Sequence, residues 1–421
     1  MDNNFHYKDN NFYVENVSVE TIVSGVGTPS YIYSYSSFAN SFQDYKEAFS
    51  KLDPLICFSV KANSNIAILR TFSKLGSGFD IVSEGELERV IRAGGDTSKV
   101  VFSGVGKTEE EMRRAMQVDI LFFNVESREE LVVLNQVASD IGEKARVAIR
   151  VNPDIDPKTH PYISTGFEKS KFGIDIAQSL DVYKEASQMK GIDVIGIDAH
   201  IGSQIFELSS FTDSLKKLLK LAKDLEHIGV DIKYIDIGGG LGISYKNDEI
   251  PPTKATYAEE IIGLLDEMPY KLILEPGRSL VGNSGILVTR VLYNKVGTAK
   301  KFIIVDAAMN DLVRPAFYES YHEILTAKKE EVGSEKVDVV GPICESGDFL
   351  AIDRELPKVK RGDLLVALSA GAYGYVMSSN YNTRPRVPEV LVNGSEYHVI
   401  KDREKIDDLI KNEEIPEFLS L

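Results

Sequence analysis

The chain has 421 residues, 43% hydrophobic and 27% charged, the balance of a soluble globular protein long enough for about two domains. Its net charge of −16 and pI of about 5.0 exclude the basic surface that nucleic acid or an anionic membrane requires. No apolar run reaches the roughly 18 residues of a membrane span. The polar start, Met1 to Tyr13, lacks the apolar stretch of a secretory leader, so a cytoplasmic protein is expected. Cys57 and Cys344 are far apart in sequence and read as free thiols in a reducing compartment.

Taken in order, the chain opens with two β-rich pieces, Phe12-Tyr13-Val14 and Tyr31-Ile32-Tyr33, separated by Gly25, Gly27 and Pro29. Ser36 or Ser37 can cap a helix running to about Leu52. Strands and helices then alternate. The strand candidates are Leu55–Val60, Gly78–Val82, Lys99–Ser103, Asp119–Phe123, Arg146–Val151, Val194–Asp198, Tyr234–Ile237 and Lys271–Glu275. Amphipathic helical stretches fall near residues 65–75, 84–93, 108–116, 127–141, 176–189, 210–228 and 256–267. Ser83 with Glu86 spells a capping box, and Gly94-Gly95 a stop.

Eight short apolar strands with helices between them predict an α/β fold, a (β/α)8 TIM-type barrel over about 37–280. An open, doubly wound sheet is the alternative. Residues 285–305 and 337–400 are rich in Val, Ile and Tyr with little helical period. Val390 to Gly394 followed by Tyr397 to Ile400 reads as a hairpin with an Asn-Gly turn, and a short helix is expected near 403–411. This part is expected to be a mainly antiparallel β-barrel or sandwich domain, discontinuous because 1–36 joins 281–421.

A barrel keeps its chemistry at the carboxyl ends of its strands, and the polar motifs fall there. Phe58-Ser59-Val60-Lys61-Ala62-Asn63 ends the first strand. By parity Ile56, Phe58 and Val60 share one face, and Leu55, Cys57, Ser59 and Lys61 the other. A lysine at that end would be partly desolvated, which favours the neutral amine that attacks an aldehyde cofactor. It could equally reach out to solvent. Gly238-Gly239-Gly240-Leu241-Gly242 lets backbone N–H groups approach an anion, or simply makes a tight turn. It lacks dinucleotide spacing, which argues against NAD.

Glu275-Pro276-Gly277-Arg278 offers a carboxylate for a pyridinium nitrogen and a planar fork for a phosphate or carboxylate, although such a pair is often a surface ion pair. His200 could lie flat on an aromatic cofactor with Ser203 reaching a phosphate, or be a satisfied core residue. Cys344-Glu345-Ser346-Gly347-Asp348 offers a thiol suited to a general acid, or a small buried hydrophobe. Arg314 and Tyr318 share a face if helical, and Gly371 to Tyr375 frames a tyrosine pair.

Together and in order, these motifs resemble the diaminopimelate decarboxylase family, within the barrel-type pyridoxal-phosphate decarboxylases, from about Tyr31 to Val392. The likeness rests on Ser59 to Asn63, Gly78 to Leu87, Asn152 to Asp154, His160 to Gly166, Lys171 to Gly173, His200 to Gln204, Gly238 to Gly240, Glu275 to Arg278, Met309 to Tyr318, Cys344 to Asp348 and Gly371 to Tyr375. It implies pyridoxal 5'-phosphate as cofactor, a small-molecule substrate and no metal. It implies Lys61, His200 and Cys344 as the catalytic set. Lys61 would form the Schiff base, His200 would stack on the ring and Glu275 would meet the pyridine nitrogen. Ser203, the Gly239-Gly240 turn, Arg278 and Tyr373 would hold the phosphate end, with Asp80 and Gly277 also contacting the cofactor. Arg278 and Tyr373 would also touch substrate, whose far end would meet Arg314, Tyr318 and Glu345. Cys344, expected from the partner subunit of a homodimer, would protonate the carbanion left as CO2 departs. Residues 152–175 are expected to form an active-site loop. Phe58 stands where the family usually has Tyr, and Ala308 where it usually has Gly; neither removes a catalytic group.

The implied reaction converts meso-2,6-diaminopimelate to L-lysine and CO2, the last step of lysine biosynthesis. Arg314 and Glu345 can complement a distal carboxylate and ammonium. A decarboxylase for ornithine or arginine has no use for Arg314, and an uncompensated buried arginine is costly. Such relatives, or one acting on carboxynorspermidine, are the nearest alternatives. Glu275 disfavours an amino-acid racemase, and a non-catalytic cofactor carrier needs neither Cys344 and Glu345 nor Arg314.

Overall fold

The computed structural model describes residues 3–156, 171–246, 248–330 and 333–419. Packing divides the chain into two compact units, Phe38–Val281 and Met1–Ser37 with Gly282–Leu421.

In the first unit, eight parallel strands close on themselves. Leu55–Ser59 pairs with Gly78–Ile81, which pairs with Val100–Phe102, then Phe122–Val125 and Ala145–Asn152. Ile192–Asp198, Tyr234–Asp236 and Lys271–Leu274 follow, and the last returns to Leu55–Ser59. That final pairing excludes the open sheet. Among the barrel strands the largest shift from the sequence expectation is at Asp119, whose φ of 55° turns the chain out of the preceding helix, so the strand begins only at Phe122. The helix expected from a Ser36 or Ser37 cap to about Leu52 runs instead from Tyr35 to Ala48, with both serines inside it.

The barrel is plugged below by Cys57, Val101, Phe122, Ala148, Ile195 and Ile273. Phe58 faces outward, as parity requires, and its ring lies 4.3 Å from that of Phe72 on the helix Ile66–Leu75. Burying a ring of this kind contributes about 2–3 kcal/mol, so a Phe here satisfies the helix layer without touching the interior.

Local signals place the helices. Asn65 accepts from the Ala67 N–H and Gly76 closes the same helix in the left-handed region. Thr108 and Glu111 form a full capping box. At the helix Glu84–Arg92, Ser83 accepts from the Glu86 N–H at 3.2 Å. The Glu86 carboxylate reaches one residue further back than a capping box requires, to the Val82 N–H at 2.7 Å.

The second unit is built of sheets, mainly antiparallel. Its strand Ser30–Ser34 lies between Gly285–Val296, antiparallel to it, and Glu389–Asn393, parallel to it. Ile32, Val288, Val366 and Val390 form its core with Ile22 and Val23 of the helix Val19–Val26. That helix runs through Gly25. A Cβ at Gly25 would collide with the Tyr397 hydroxyl, so this glycine serves packing rather than a break. The hairpin Glu389–Asn393 to Glu396–Lys401 forms with Asn393 opposite Glu396. Its turn is therefore Gly394-Ser395, one residue beyond the expected pair, with φ +61° at Gly394. Ala308 lies against Gly341, where a side chain would have no room. Among the described residues no helix is long and apolar enough to cross a membrane. Both cysteines are free, Cys57 buried and Cys344 exposed.

Candidate active site

Each barrel strand delivers one polar side chain at or just past its carboxyl end: Lys61, Asp80, Ser103, Asn124, Arg150, Asp198, Asp236 and Glu275. The apolar plug sits beneath this ring, so the barrel is a scaffold with a charged floor at one end. The first strand stops at Ser59. Lys61 lies in the short 3-10 turn Val60–Ala62 and its Nζ contacts Asp80 Oδ2 at 2.5 Å.

Glu275 is buried and accepts from Asn124 Nδ2 at 3.3 Å and Ser103 Oγ at 3.5 Å. Burial, then the nearby Asp236 and Asp80, push its carboxyl well above the usual range. Burial raises Asp236 to about 6, and burial with Asp236 raises Asp198 well above its ordinary value. One oxygen from each of these three carboxyl groups lies within 4.8 Å of the others, so a proton on one bears on the other two. Burial also raises Glu86, beside Lys61 and Asp80, to about 7.

Two loops make the upper wall. Gln204 Nε2 donates to the Ile243 carbonyl at 2.6 Å, and its Oε1 accepts from the Ile243 N–H at 3.1 Å. This tie joins the His200–Gln204 loop to the glycine turn after the seventh strand. His200 Nδ1 accepts from the Gly239 N–H at 3.2 Å, which leaves the proton on Nε2. Burial, then Arg150 and Lys61, hold the imidazole well below its usual pKa, so the ring is neutral. A Cβ at Gly239 would collide with the Glu275 carbonyl; one at Gly240, φ +115°, would sit 2.5 Å from the Gly202 carbonyl. Only glycine allows this turn. Arg278, buried, donates from Nε and Nη2 to Ser203 Oγ at 3.2 and 3.1 Å, and from Nη1 to the Tyr245 hydroxyl at 2.6 Å. Gly277 begins the turn into the short helix Arg278–Val281.

At the fifth strand, Arg150 donates to Glu126 Oε1 at 2.8 Å and lies 4.9 Å from the Phe172 ring centroid. The Gly173 N–H donates to Glu126 Oε2 at 2.8 Å. Lys171 to Gly173 is thus anchored to the barrel rim. Most of the expected 152–175 loop, including His160 to Gly166, lies outside the described residues.

The other expected residues belong to the second unit. Arg314 opens the helix Arg314–Tyr318 and is buried; its Nη2 donates to Ser320 Oγ at 3.3 Å and its Nη1 meets His322 Nε2 at 3.3 Å. Tyr318 is half-buried beside the exposed Phe317. Cys344 and Glu345 are exposed. Asp348 ties their loop to the Met309 run, accepting from the Ile343 N–H and the Met309 N–H, each at 2.7 Å. Tyr373 has φ +55°, a conformation that a non-glycine residue adopts only when its surroundings enforce it.

The barrel set fits pyridoxal phosphate. Lys61 supplies the amine, Glu275 a buried carboxyl for a ring nitrogen, and the glycine turn with Ser203 and Arg278 an anion cradle. Asp80 Oδ1 and Asp198 Oδ1 are buried and accept no hydrogen bond from the described residues, so the floor keeps acceptors for an incoming donor. Sequence patterns do not single out Ser103, Asn124, Asp236, Tyr245 or His322, and they place Gln204 in a motif without a role. Their one signal is a polar residue at the end of an apolar run, or beside a motif residue.

Residues 35–282 match the family model described as pyridoxal-dependent decarboxylase, pyridoxal binding domain. The chain is 49% identical over 405 residues to a diaminopimelate decarboxylase of Aquifex aeolicus, covering 96% of each. The structure superposes on diaminopimelate decarboxylase from Helicobacter pylori complexed with L-lysine, with TM-score 0.90, 41% identity, and 93% of this chain and 98% of that one covered. On the M. jannaschii enzyme in co-complex with L-lysine the TM-score is 0.95, at 38% identity over 99% of both.

Proposed function

Because the chain belongs to the pyridoxal-dependent decarboxylase family, we infer that it is a diaminopimelate decarboxylase, releasing CO2 from meso-2,6-diaminopimelate to leave L-lysine. It is an enzyme, a carboxy-lyase, and its cofactor is pyridoxal 5'-phosphate. When bound, that cofactor supplies the aldehyde that captures the substrate amine and the ring that accepts the electron pair left by CO2.

The residue roles are our reading of the family resemblance together with the site geometry. Lys61 holds the cofactor covalently, and Asp80 fixes the position of its nitrogen. Glu275 keeps a proton on the cofactor ring nitrogen, with Asn124 and Ser103 orienting the carboxyl. His200, neutral and fixed by the Gly239 N–H, offers a flat face to the ring. Ser203, the Gly239-Gly240 turn, Arg278 and Tyr373 hold the phosphate end, and Arg278 and Tyr373 also touch substrate.

The observation that carries the substrate assignment is Arg314, a buried guanidinium donating to the neutral Ser320 Oγ. It suits the substrate's distal carboxylate, with Tyr318 and Glu345 at the same end and Glu345 facing the distal ammonium. Cys344 then gives a proton to the carbon that has lost CO2. Its exposure in one chain supports a homodimer in which Cys344 of the partner subunit completes the site. A reducing cytoplasm, where both thiols stay free, is the compartment this reading implies.

The test is a substrate panel with CO2 detection. Release from diaminopimelate, and none from ornithine, arginine or lysine, is expected; the reverse preference overturns the assignment. Borohydride reduction of the loaded enzyme followed by mass spectrometry is expected to place the cofactor on Lys61.

A further inference from the structure

In the second unit, the guanidinium assigned above to the far carboxylate is itself held by a histidine. His322 is fully buried. Its Nδ1 lies 2.9 Å from the Leu368 carbonyl, which can only accept, so Nδ1 carries the proton. Nε2 therefore presents a lone pair, and Arg314 Nη1 donates to it at 3.3 Å. A guanidinium has only donors, so both neighbours demand the same tautomer. The backbone here is clamped as well. Arg354 Nη1 donates to the His322 carbonyl at 2.9 Å, and its guanidinium lies 3.8 Å from the Tyr321 ring centroid. The Leu368 N–H donates to the Glu323 carbonyl at 2.8 Å, which fixes the Leu368 carbonyl relative to the ring.

We propose that His322 is a positioning residue for the decarboxylation, a neutral acceptor that aims Arg314 without cancelling its charge and so sets selectivity for substrates with a distal carboxylate. This rests on the assignment of Arg314. A carboxylate in the same place would orient the guanidinium equally well, but it would neutralise the charge that the substrate must find. Imidazole supplies direction and leaves the charge intact.

The test compares L-lysine and 1,5-diaminopentane as competitive inhibitors of the loaded enzyme. L-Lysine is the meso substrate less the carboxylate at its D centre, so it keeps the carboxylate of the far end; 1,5-diaminopentane lacks it. His322→Leu fills the space without an acceptor, and His322→Gln restores an acceptor oxygen. We expect His322→Leu to raise KM for diaminopimelate and Ki for L-lysine roughly tenfold, with Ki for 1,5-diaminopentane within about twofold, as for loss of one hydrogen bond to a charged group. His322→Gln recovers most of that difference.

Equal weakening of both inhibitors, no weakening of either, or a loss that Gln does not recover assigns His322 to the fold alone and overturns the proposal. Should the Leu variant fail to fold, His322→Asn replaces it with the same expected outcomes, since it keeps a donor for Leu368 and is too short to reach Arg314. Arg314→Ala in the same assay separates the two ideas. If it leaves the preference for L-lysine intact, the Arg314 assignment fails and the His322 proposal falls with it. If Arg314→Ala abolishes the preference while the His322 variants keep it, only the His322 proposal fails.

Discussion

Lys61 Nζ and Asp80 Oδ2 lie 2.5 Å apart, across the carboxyl ends of neighbouring barrel strands, with the carboxylate fully buried and the lysine side chain 35% exposed. Strand parity suggests desolvation as the influence on this amine. The structure leaves the side chain partly exposed and places an opposite charge beside its nitrogen instead. Asp80 thus holds the nitrogen in place until a carbonyl takes it. Asp80→Asn keeps the shape and removes the charge. The adduct on Lys61 is expected still to form, with cofactor affinity lowered roughly tenfold, the scale of one charge-assisted hydrogen bond. Titration of the cofactor band measures it; unchanged affinity would make the pair incidental.

Glu275→Gln separates holding the cofactor from activating it. The amide can still accept from Asn124 and Ser103, so the cofactor band is expected to persist. It cannot keep a proton on a ring nitrogen as a carboxyl can. We expect kcat to fall by roughly 10²–10³, the scale of losing one preorganised group at a developing charge, with little change in KM. A variant with wild-type kcat removes Glu275 from the chemistry.

The barrel is legible in the sequence because each of its strands is an apolar run bounded by caps and turns, as at Leu55–Ser59 before Asn65 and at Gly78–Ile81 before Ser83. Periodicity carries that information locally. The helix Val19–Val26 is illegible for an equally local reason: Gly25 reads as a break, and only its distant neighbour Tyr397 explains it. The charged floor is illegible in another way. Asn124 and Asp236 are single polar residues at strand ends, 112 positions apart in sequence by subtraction, and only closure of the sheet brings both to Glu275. The tie between Gln204 and Ile243 is likewise a product of two loops meeting, which no spacing rule anticipates.

Stability is expected to fall as pH rises toward neutrality, and Asp311 identifies one cause. It is buried in the second unit, and burial raises it from an ordinary 3.8 to about 7 although the Ala308 N–H donates to it. Between those values the folded chain keeps a proton that the unfolded chain has released. The slope of unfolding free energy against pH is then negative across that window, and this stability is fully present below 3.8 and gone above about 7. Asp311→Asn keeps an acceptor for Ala308 and cannot titrate. Urea unfolding between pH 5 and 7 is expected to show a decline shallower than that of the native chain by about 2 kcal/mol. Parallel profiles would mean that Asp311 titrates normally.

A site shared between subunits makes a prediction that no single-chain site can satisfy. Lys61→Ala removes the proposed anchor for the cofactor, and Cys344→Ala the proposed proton donor, an expected loss of roughly 10²–10⁴ in kcat. Each variant alone is expected to be nearly inactive. If Cys344 serves the barrel of its partner, a mixed dimer has one site lacking both groups and one site lacking neither. Unfolding and refolding equal amounts of the two variants together puts half of the chains into mixed dimers. Activity is then expected to return to about a quarter of the native value, while each variant refolded alone stays inactive. If Cys344 serves its own barrel, every site in the mixture lacks one group and mixing restores nothing. The same mixture therefore measures both the existence of the dimer and the direction in which Cys344 points.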